Sequence, residues 1–581
     1  MVLRLACFIL FLAFPVSATV YYDVSVTDPA HHLARVTLTQ QKPAGTMVLQ
    51  LPTWRTGRYQ ILNQADNLRQ LSATLDGKTV VLSKVDKSRW QLASKAAGKL
   101  VVTYQIYGNA LAERLLHIDD SHLFMDASGA LMYSPDSRQQ PVEVRLQLPS
   151  NWRAYSGMQA VAENHFRAAN YDVLVDSPIE AGINSAYDFQ VDGRHYQLVI
   201  WGAGNYDGQQ MARDLEKMVV ASQAIWQGYP FKRYVFMLHA TSGVRGATEH
   251  LNSTIIQLSR YSFAQREGYL QFLAIAAHEF VHTWNVKAYR PKGLVPYNYQ
   301  QENYSDLLWL AEGSTSYLEN QLLLRAGLIS TEEFFTQLGK AITAFKHNPG
   351  RFSQSLAQAS WDNWIAQGGD YAHNFSVNIY AEGELVSWLL DADLLKSTQN
   401  RVSYRDLHQR LYQAHRLPAS FTDATVLAEL KALSGKDYQG FWRRWVVSAP
   451  GDIDFTALLN TFGLTLEAED STIYAGMQVD SDGTVLSVDK NSPAWQAGIS
   501  DGDQLVALAG LKLTAGSLEA RLKDFSAGDT LAVTFFRRDQ LTTVKLTLTQ
   551  RPQAYKVVAQ KAPSAEQKAA FKAWLGVAFP N

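Results

Sequence analysis

The chain has one cysteine in 581 residues, Cys7. It lies in MVLRLACFILFLAFPVSATVYYDV, where Arg4 gives a short basic start and Leu5 to Phe14 an apolar stretch too short to span a bilayer comfortably. Val16-Ser17-Ala18 then offers small residues for cleavage after Ala18, so residues 1–18 read as a secretory signal peptide. The surroundings of Cys7 do not match a lipoprotein cleavage box. Without this segment no thiol remains. Disulfides are excluded, and any metal must be held by nitrogen and oxygen. No second long apolar run follows, so no membrane span is expected in the mature chain. Charge of one sign is also lacking: 53 Lys and Arg stand against 54 Asp and Glu, with no basic stripe. Nucleic acid is therefore not an expected partner. No fixed-period repeat or low-complexity segment appears. A secreted protein, in a bacterial periplasm, is the expected setting.

The sequence that is present is too long for one core, and its 47% hydrophobic and 18% charged residues fit a folded chain of three or four domains. From 19 to 187 the pattern alternates with period two, as in ARVTLTQ, TMVLQLP and KLVVTYQIYG, separated by turn residues. That predicts an all-β domain, a sandwich. Over 188–328, YQLVIWG and YVFMLHA read as strands around the helix MARDLEKMVVASQAIW. GYLQFLAIAAHEFVHTWNVK then reads as one helix running to Lys287 and stopped by Arg290 to Gly293, and SDLLWLAEGSTSYLENQLLLRAG as a second. Helical patterns dominate 329–465, beginning at a capping box at Ser330 and Glu333. Period two returns over 466–551, and 552–581 ends in a short docked helix.

One stretch carries chemistry. AIAAHEFVHTWNVK places His278 and His282 four apart on a helix, one turn above the other. Two imidazoles so placed can hold one tetrahedral ion at roughly 2.0–2.1 Å. Glu279 points about a hundred degrees away, where it can reach a water at the metal without ligating it, the place of a general base. A pair of core histidines satisfied by neighbours is the alternative. Against it, LLWLAEGSTSYLE offers Glu312 as a third ligand from the second helix. Glu319, two turns further on the same face, can accept the other N–H of a ligating histidine; a plain surface charge is the other reading.

HEFVHTWNVK with RPKGLVPY, LLWLAEGSTSYLENQLLLRAG and LPTWRTGRY resembles the glycyl aminopeptidase family of gluzincin zinc metallopeptidases, over about residues 20 to 550. The resemblance implies a multidomain α+β chain: an N-terminal β-sandwich, a thermolysin-like catalytic domain, a helical domain and a C-terminal PDZ domain. It implies one Zn2+ per chain on His278, His282 and Glu312, with Glu279 as the catalytic glutamate. GVRGATEHLNS resembles an exopeptidase motif in which Glu249 would bind the substrate's amino group, with Gly246 and Ala247 beside it. It departs from a related motif in having Thr248 and His250. NFSVNIYAEGELVSWLLD resembles the helix start that bears a catalytic tyrosine. Tyr380 takes that position, and Tyr371 is the competitor for its role. The activity implied is removal of N-terminal residues, small ones such as Gly and Ala, from peptides. An endopeptidase on the same scaffold and a non-catalytic peptide-binding protein are the alternatives.

NSPAWQAGISDGDQLVALAG looks like a PDZ domain, and TIYAGMQV like its carboxylate-binding loop at Tyr474, Ala475, Gly476 and Met477. Such a loop would take a peptide C-terminus. A structural module with a blocked groove is the other reading.

Overall fold

The computed structural model describes residues 19–112, 115–514 and 516–580; the segment 1–18, expected to be a signal peptide, lies outside them. The amino-terminal alternation becomes a β-rich domain built on an eight-stranded sheet, with Val20–Asp28, Leu33–Lys42 and Gly98–Tyr107 adjacent at its middle. Val20, Tyr22 and Val24, then Val36 and Leu38, then Val102 and Tyr104 are buried, and the residues between them are more exposed. This is the period-two pattern that sorts side chains to opposite faces. The Tyr22 and Tyr104 hydroxyls donate to the carbonyls of Met132 (2.6 Å) and Ala130 (3.0 Å), which pins the 127–133 segment against the sheet.

The next domain is a five-stranded sheet in the order Asn184–Val191, Arg194–Trp201, Arg233–Thr241, Ser253–Ser259, Gly246–Glu249. Its three middle strands are parallel and both outer strands antiparallel. The expected domain boundary at 187 falls inside the first strand. Asn184–Val191 pairs along its whole length with Arg194–Trp201, and this hairpin draws the segment into the second sheet.

The seam between the β domain and this sheet is polar and buried. Glu180 accepts from His122 Nδ1 (3.1 Å) and from His239 Nε2 (2.9 Å). His239 Nδ1 accepts from Gln257 Nε2 (3.0 Å), and His122 Nε2 lies 2.8 Å from His117 Nδ1. The His122 ring stacks on Trp201 at 3.6 Å. Burial opposes the charge on Glu180, but the two imidazoles outweigh it and hold the carboxyl down at about 2.

Three helices pack in succession on this sheet. The helix with the paired histidines, Arg266–Val281, lies on the sheet; Leu308–Arg325 packs beside it, and Ala381–Ser397 packs on Leu308–Arg325. The first of these stops at Val281, not at Lys287. After it the chain coils, with Val286 at φ +86°. Tertiary contacts impose the stop: Asn285 Nδ2 donates to the carbonyls of Leu310 (3.0 Å) and Ala311 (2.9 Å), and Trp284 stacks on Trp226 at 4.4 Å. The local pattern continues as helix, and the packing overrides it.

Thr331–His347 begins at a capping box in which Ser330 and Glu333 bond each other's backbone. Residues 473–550 form a small β module with its own core, including Val485, Leu508, Val533, Phe535 and Leu546. Leu464–Ala468 is not part of that core. It pairs with Tyr555–Ala559, and its Leu464 joins the main core, so the expected boundary at 466 cuts through this ribbon. The tail helix Ala565–Leu575 docks through Trp574, whose carbonyl accepts from Arg405 Nη1 at 2.7 Å. No helix among the described residues is long and apolar enough to cross a membrane.

The seam generates a stability prediction. Glu180→Ala strands two buried imidazole donors, each costing about 1–3 kcal/mol. Thermal unfolding should show a clearly lowered midpoint, and an unchanged midpoint would mean the seam does not join the domains.

Candidate metal and substrate site

His278 lies in the last turn of Arg266–Val281 and His282 caps it. Their Nε2 atoms are 3.1 Å apart. Glu312 from the neighbouring helix brings Oε2 to 3.2 Å from His282 Nε2 and 3.7 Å from His278 Nε2. Ligands at about 2.1 Å on a tetrahedral ion stand about 3.4 Å apart, which these separations straddle.

The far side of each ring settles its proton. His278 Nδ1 donates to Glu319 Oε2 at 2.5 Å, and His282 Nδ1 to the Asn285 carbonyl at 3.0 Å. A carboxylate and a carbonyl only accept, so both Nδ1 atoms carry hydrogen, and in the neutral rings both Nε2 lone pairs face the Glu312 carboxylate. Three electron-rich atoms converge in a buried place, and a cation satisfies all of them. Without one, protons must substitute. Burial opposes charge on both imidazoles, yet Glu319 and Glu312 push His278 well up and Glu312 pushes His282 up. Burial likewise opposes charge on Glu312, and the two histidines overcome it and drive that carboxyl far down. The residues fit zinc in donor type, number and spacing.

Two other groups bring His and acidic atoms within 4.8 Å: His117, Asp119 and His122, and His122, Glu180 and His239. In the seam, however, Glu180 meets hydrogen-bonding nitrogens that are donors, and the second nitrogen of His239 is taken by Gln257.

Local sequence explains how the helices meet. A Cβ on Gly313 would lie 2.4 Å from Gly383 Cα, so glycine on both helices lets Leu308–Arg325 approach Ala381–Ser397 closely. Asn285 ties the first helix end to the second helix, since its amide also donates to Thr315 Oγ1 at 3.0 Å.

Glu279 is buried on the adjoining face and couples electrostatically to His278, His282, Glu249 and Glu312. Burial pushes its carboxyl up to about 7, against the pull of the histidines. Glu249, also buried, ends the outermost strand Gly246–Glu249, which carries Gly246 and Ala247. Burial opposes its charge, and Lys287, His282 and Arg55 outweigh that to bring its pKa down. Lys287 Nζ stands 3.5 Å from Glu249 and 2.7 Å from Asp176. Tyr380 precedes Ala381–Ser397, and its ring lies 6.0 Å from that of His278 at 28°. Tyr371 turns to Asp362 (3.4 Å) and Gln354 (3.1 Å) instead. An open cleft of about 240 Å3 lies between Tyr59, Asn363, Ser376 and Tyr380.

Tyr474, Ala475, Gly476 and Met477 sit in the C-terminal module. Ala475 and Met477 are in its core, Gly476 has φ +80°, and the Tyr474 hydroxyl donates to Asp489. Sequence reasoning missed Tyr59, Lys287 and Asp176 at the site. Tyr59 and Lys287 end the stretches LPTWRTGRY and HEFVHTWNVK, so proximity to motifs was the available signal. Asp176 had none.

Comparison with known proteins follows this geometry. Residues 21–183 match the Peptidase M61 N-terminal domain, and residues 271–386 match the M61 glycyl aminopeptidase domain. The first ends where the hairpin of the second sheet begins. Comparison with curated proteins gives no match. Among solved structures, an aminopeptidase N family protein from Idiomarina loihiensis superposes with TM-score 0.89 at 27% identity, covering 96% of this chain and 100% of that one. An M1 zinc metallopeptidase from Deinococcus radiodurans matches at TM-score 0.47 and 14% identity, over 74% of this chain and 93% of that one. In order along the chain, an M61 peptidase amino-terminal domain and an M61 glycyl aminopeptidase domain are matched, and the enzyme is a zinc metallopeptidase.

Proposed function

We propose that this enzyme is an aminopeptidase that hydrolyses the first peptide bond of peptides, favouring small N-terminal residues (Gly or Ala), with one zinc per chain held by His278, His282 and Glu312. The observation that carries the reading is Glu249: a buried carboxylate at the end of an outermost strand, with Lys287 Nζ at 3.5 Å. A carboxylate there pairs with a substrate ammonium and sets the first carbonyl over the histidines. Backbone of Gly246 and Ala247 on the same strand would hold the extended substrate as an added strand.

Zinc, when bound, polarises the carbonyl and lowers the pKa of a coordinated water towards neutrality. Glu279 takes a proton from the attacking water and returns it to the leaving amine. Its burial suits this, since a carboxyl raised towards neutrality exchanges protons readily near pH 7. Tyr380, stacked beside His278, donates its hydroxyl to the developing oxyanion. Glu319 holds the His278 ring in one tautomer.

The same reading takes 188–328 as a thermolysin-like domain and the C-terminal module as a PDZ domain, with Tyr474 to Met477 as its loop for a peptide C-terminus. Support for the latter is the left-handed Gly476 followed by the strand Met477–Val479 and the short helix Pro493–Gln496. Export to a bacterial periplasm, with cleavage after Ala18, completes the proposal.

Alanine and glycine anilides, free and N-acetylated, test the exopeptidase reading directly. Only the free forms should be cleaved, and a chelator should abolish cleavage. Turnover of acetylated forms would point to an endopeptidase, and no turnover at all to a binding protein. Glu249→Gln removes the charge-assisted bond to the ammonium, worth about 1.5–3 kcal/mol. KM for free-amine substrates should rise by about 10- to 100-fold, and an unchanged KM would remove Glu249 from amine recognition.

A further inference from the structure

The loop Trp54–Tyr59 belongs to the β domain by sequence, yet its side chains reach the second domain's chemistry. Tyr59 Oη donates to Glu312 Oε1 at 2.6 Å, while Oε2 of the same carboxylate faces the two histidine Nε2 atoms. Thr56 Oγ1 accepts from Lys287 Nζ at 3.0 Å, and Lys287 is the cation beside Glu249. Gly57 lies directly against Glu249: a Cβ there would stand 2.5 Å from Oε2, and its φ of +76° suits glycine. Arg55, fully buried, pairs with Asp126 at 3.0 Å and reaches Thr248 Oγ1 at 3.5 Å.

The loop is held in place from both sides. The amides of Thr53 and Trp54 donate to the Tyr299 carbonyl at 2.8 and 3.1 Å. The Trp54 ring packs at 5.5 Å from Tyr297 and 6.0 Å from Trp364. One short segment thus touches the third metal ligand, the amine anchor's partner and the amine anchor itself.

Resting on the zinc peptidase reading above, we propose that this loop completes the active site, with Tyr59 as a positioning residue that occupies the outer oxygen of Glu312. A carboxylate with one oxygen held by a phenol presents the other more readily to a cation. That would favour ligation through Oε2 alone when zinc is bound, leaving room beside it for water and substrate. The bond is charge-assisted, so its loss leaves Glu312 free to rotate and to ligate through both oxygens.

Tyr59→Phe in the full-length protein tests this, because it removes the hydroxyl and keeps the ring against Trp364. Zinc affinity by chelator competition should fall about 10- to 100-fold. The visible absorption bands of the cobalt-substituted variant should shift from those of the cobalt wild type, a change that a merely structural role would not produce. The metal-free variant should still unfold cooperatively, with a midpoint only modestly below that of the metal-free wild type, and the gap should widen once zinc is added, which separates positioning from folding. Equal zinc affinity and superimposable cobalt spectra would overturn the proposal. Wild type that binds no zinc would instead overturn the peptidase reading beneath it.

Discussion

Two imidazole lone pairs and a carboxylate oxygen point into the same buried space, and a bound cation would satisfy all three at once. Much of the surrounding architecture serves that convergence. The histidine helix ends at Val281 so that Asn285 can accept from His282 and donate to the helix bearing Glu312. Glu319 and the Asn285 carbonyl fix both tautomers from behind. Paired glycines bring the helix that follows Tyr380 within reach. Without an ion, the carboxylates of Glu319 and Glu312 favour protonated imidazoles, the direction in which both histidine shifts run.

Legibility in the sequence follows how local each constraint is. The spacing of His278 and His282 is a one-turn property of a helix, so it could be read without a structure. Glu312 required only a second helix packed on the first. The period-two pattern of residues such as Val20, Tyr22 and Val24 likewise carries its own evidence. What could not be read depends on contacts across the fold. The helix stop at Val281 is imposed by carbonyls 25 and 26 residues away. The boundary near 184 depends on a hairpin pairing, and that near 464 on a partner strand at Tyr555–Ala559. Tyr59 meets Glu312 across 253 residues of chain, and no spacing rule spans that distance.

The C-terminal module also reaches towards the catalytic side. His373 lies 2.7 Å from Asp489, Asn374 donates to the Val488 carbonyl at 2.8 Å, and the Lys490 amide donates back to Asn374 at 2.9 Å. These bonds hold the stretch Tyr371–Phe375, only five residues before Tyr380 at its end. The module core is separate from the main core, and the polar joint and the ribbon at Leu464–Ala468 link the two.

The histidine pair with Glu312 and the seam around Glu180 both gather candidate ligands, and metal binding tells them apart. Titration of metal-free protein with zinc, wild type beside the double variant His278→Ala/His282→Ala, is the direct test. The wild type should bind one equivalent tightly and the double variant none. One equivalent retained by the double variant would place the ion elsewhere and contradict its assignment to His278, His282 and Glu312.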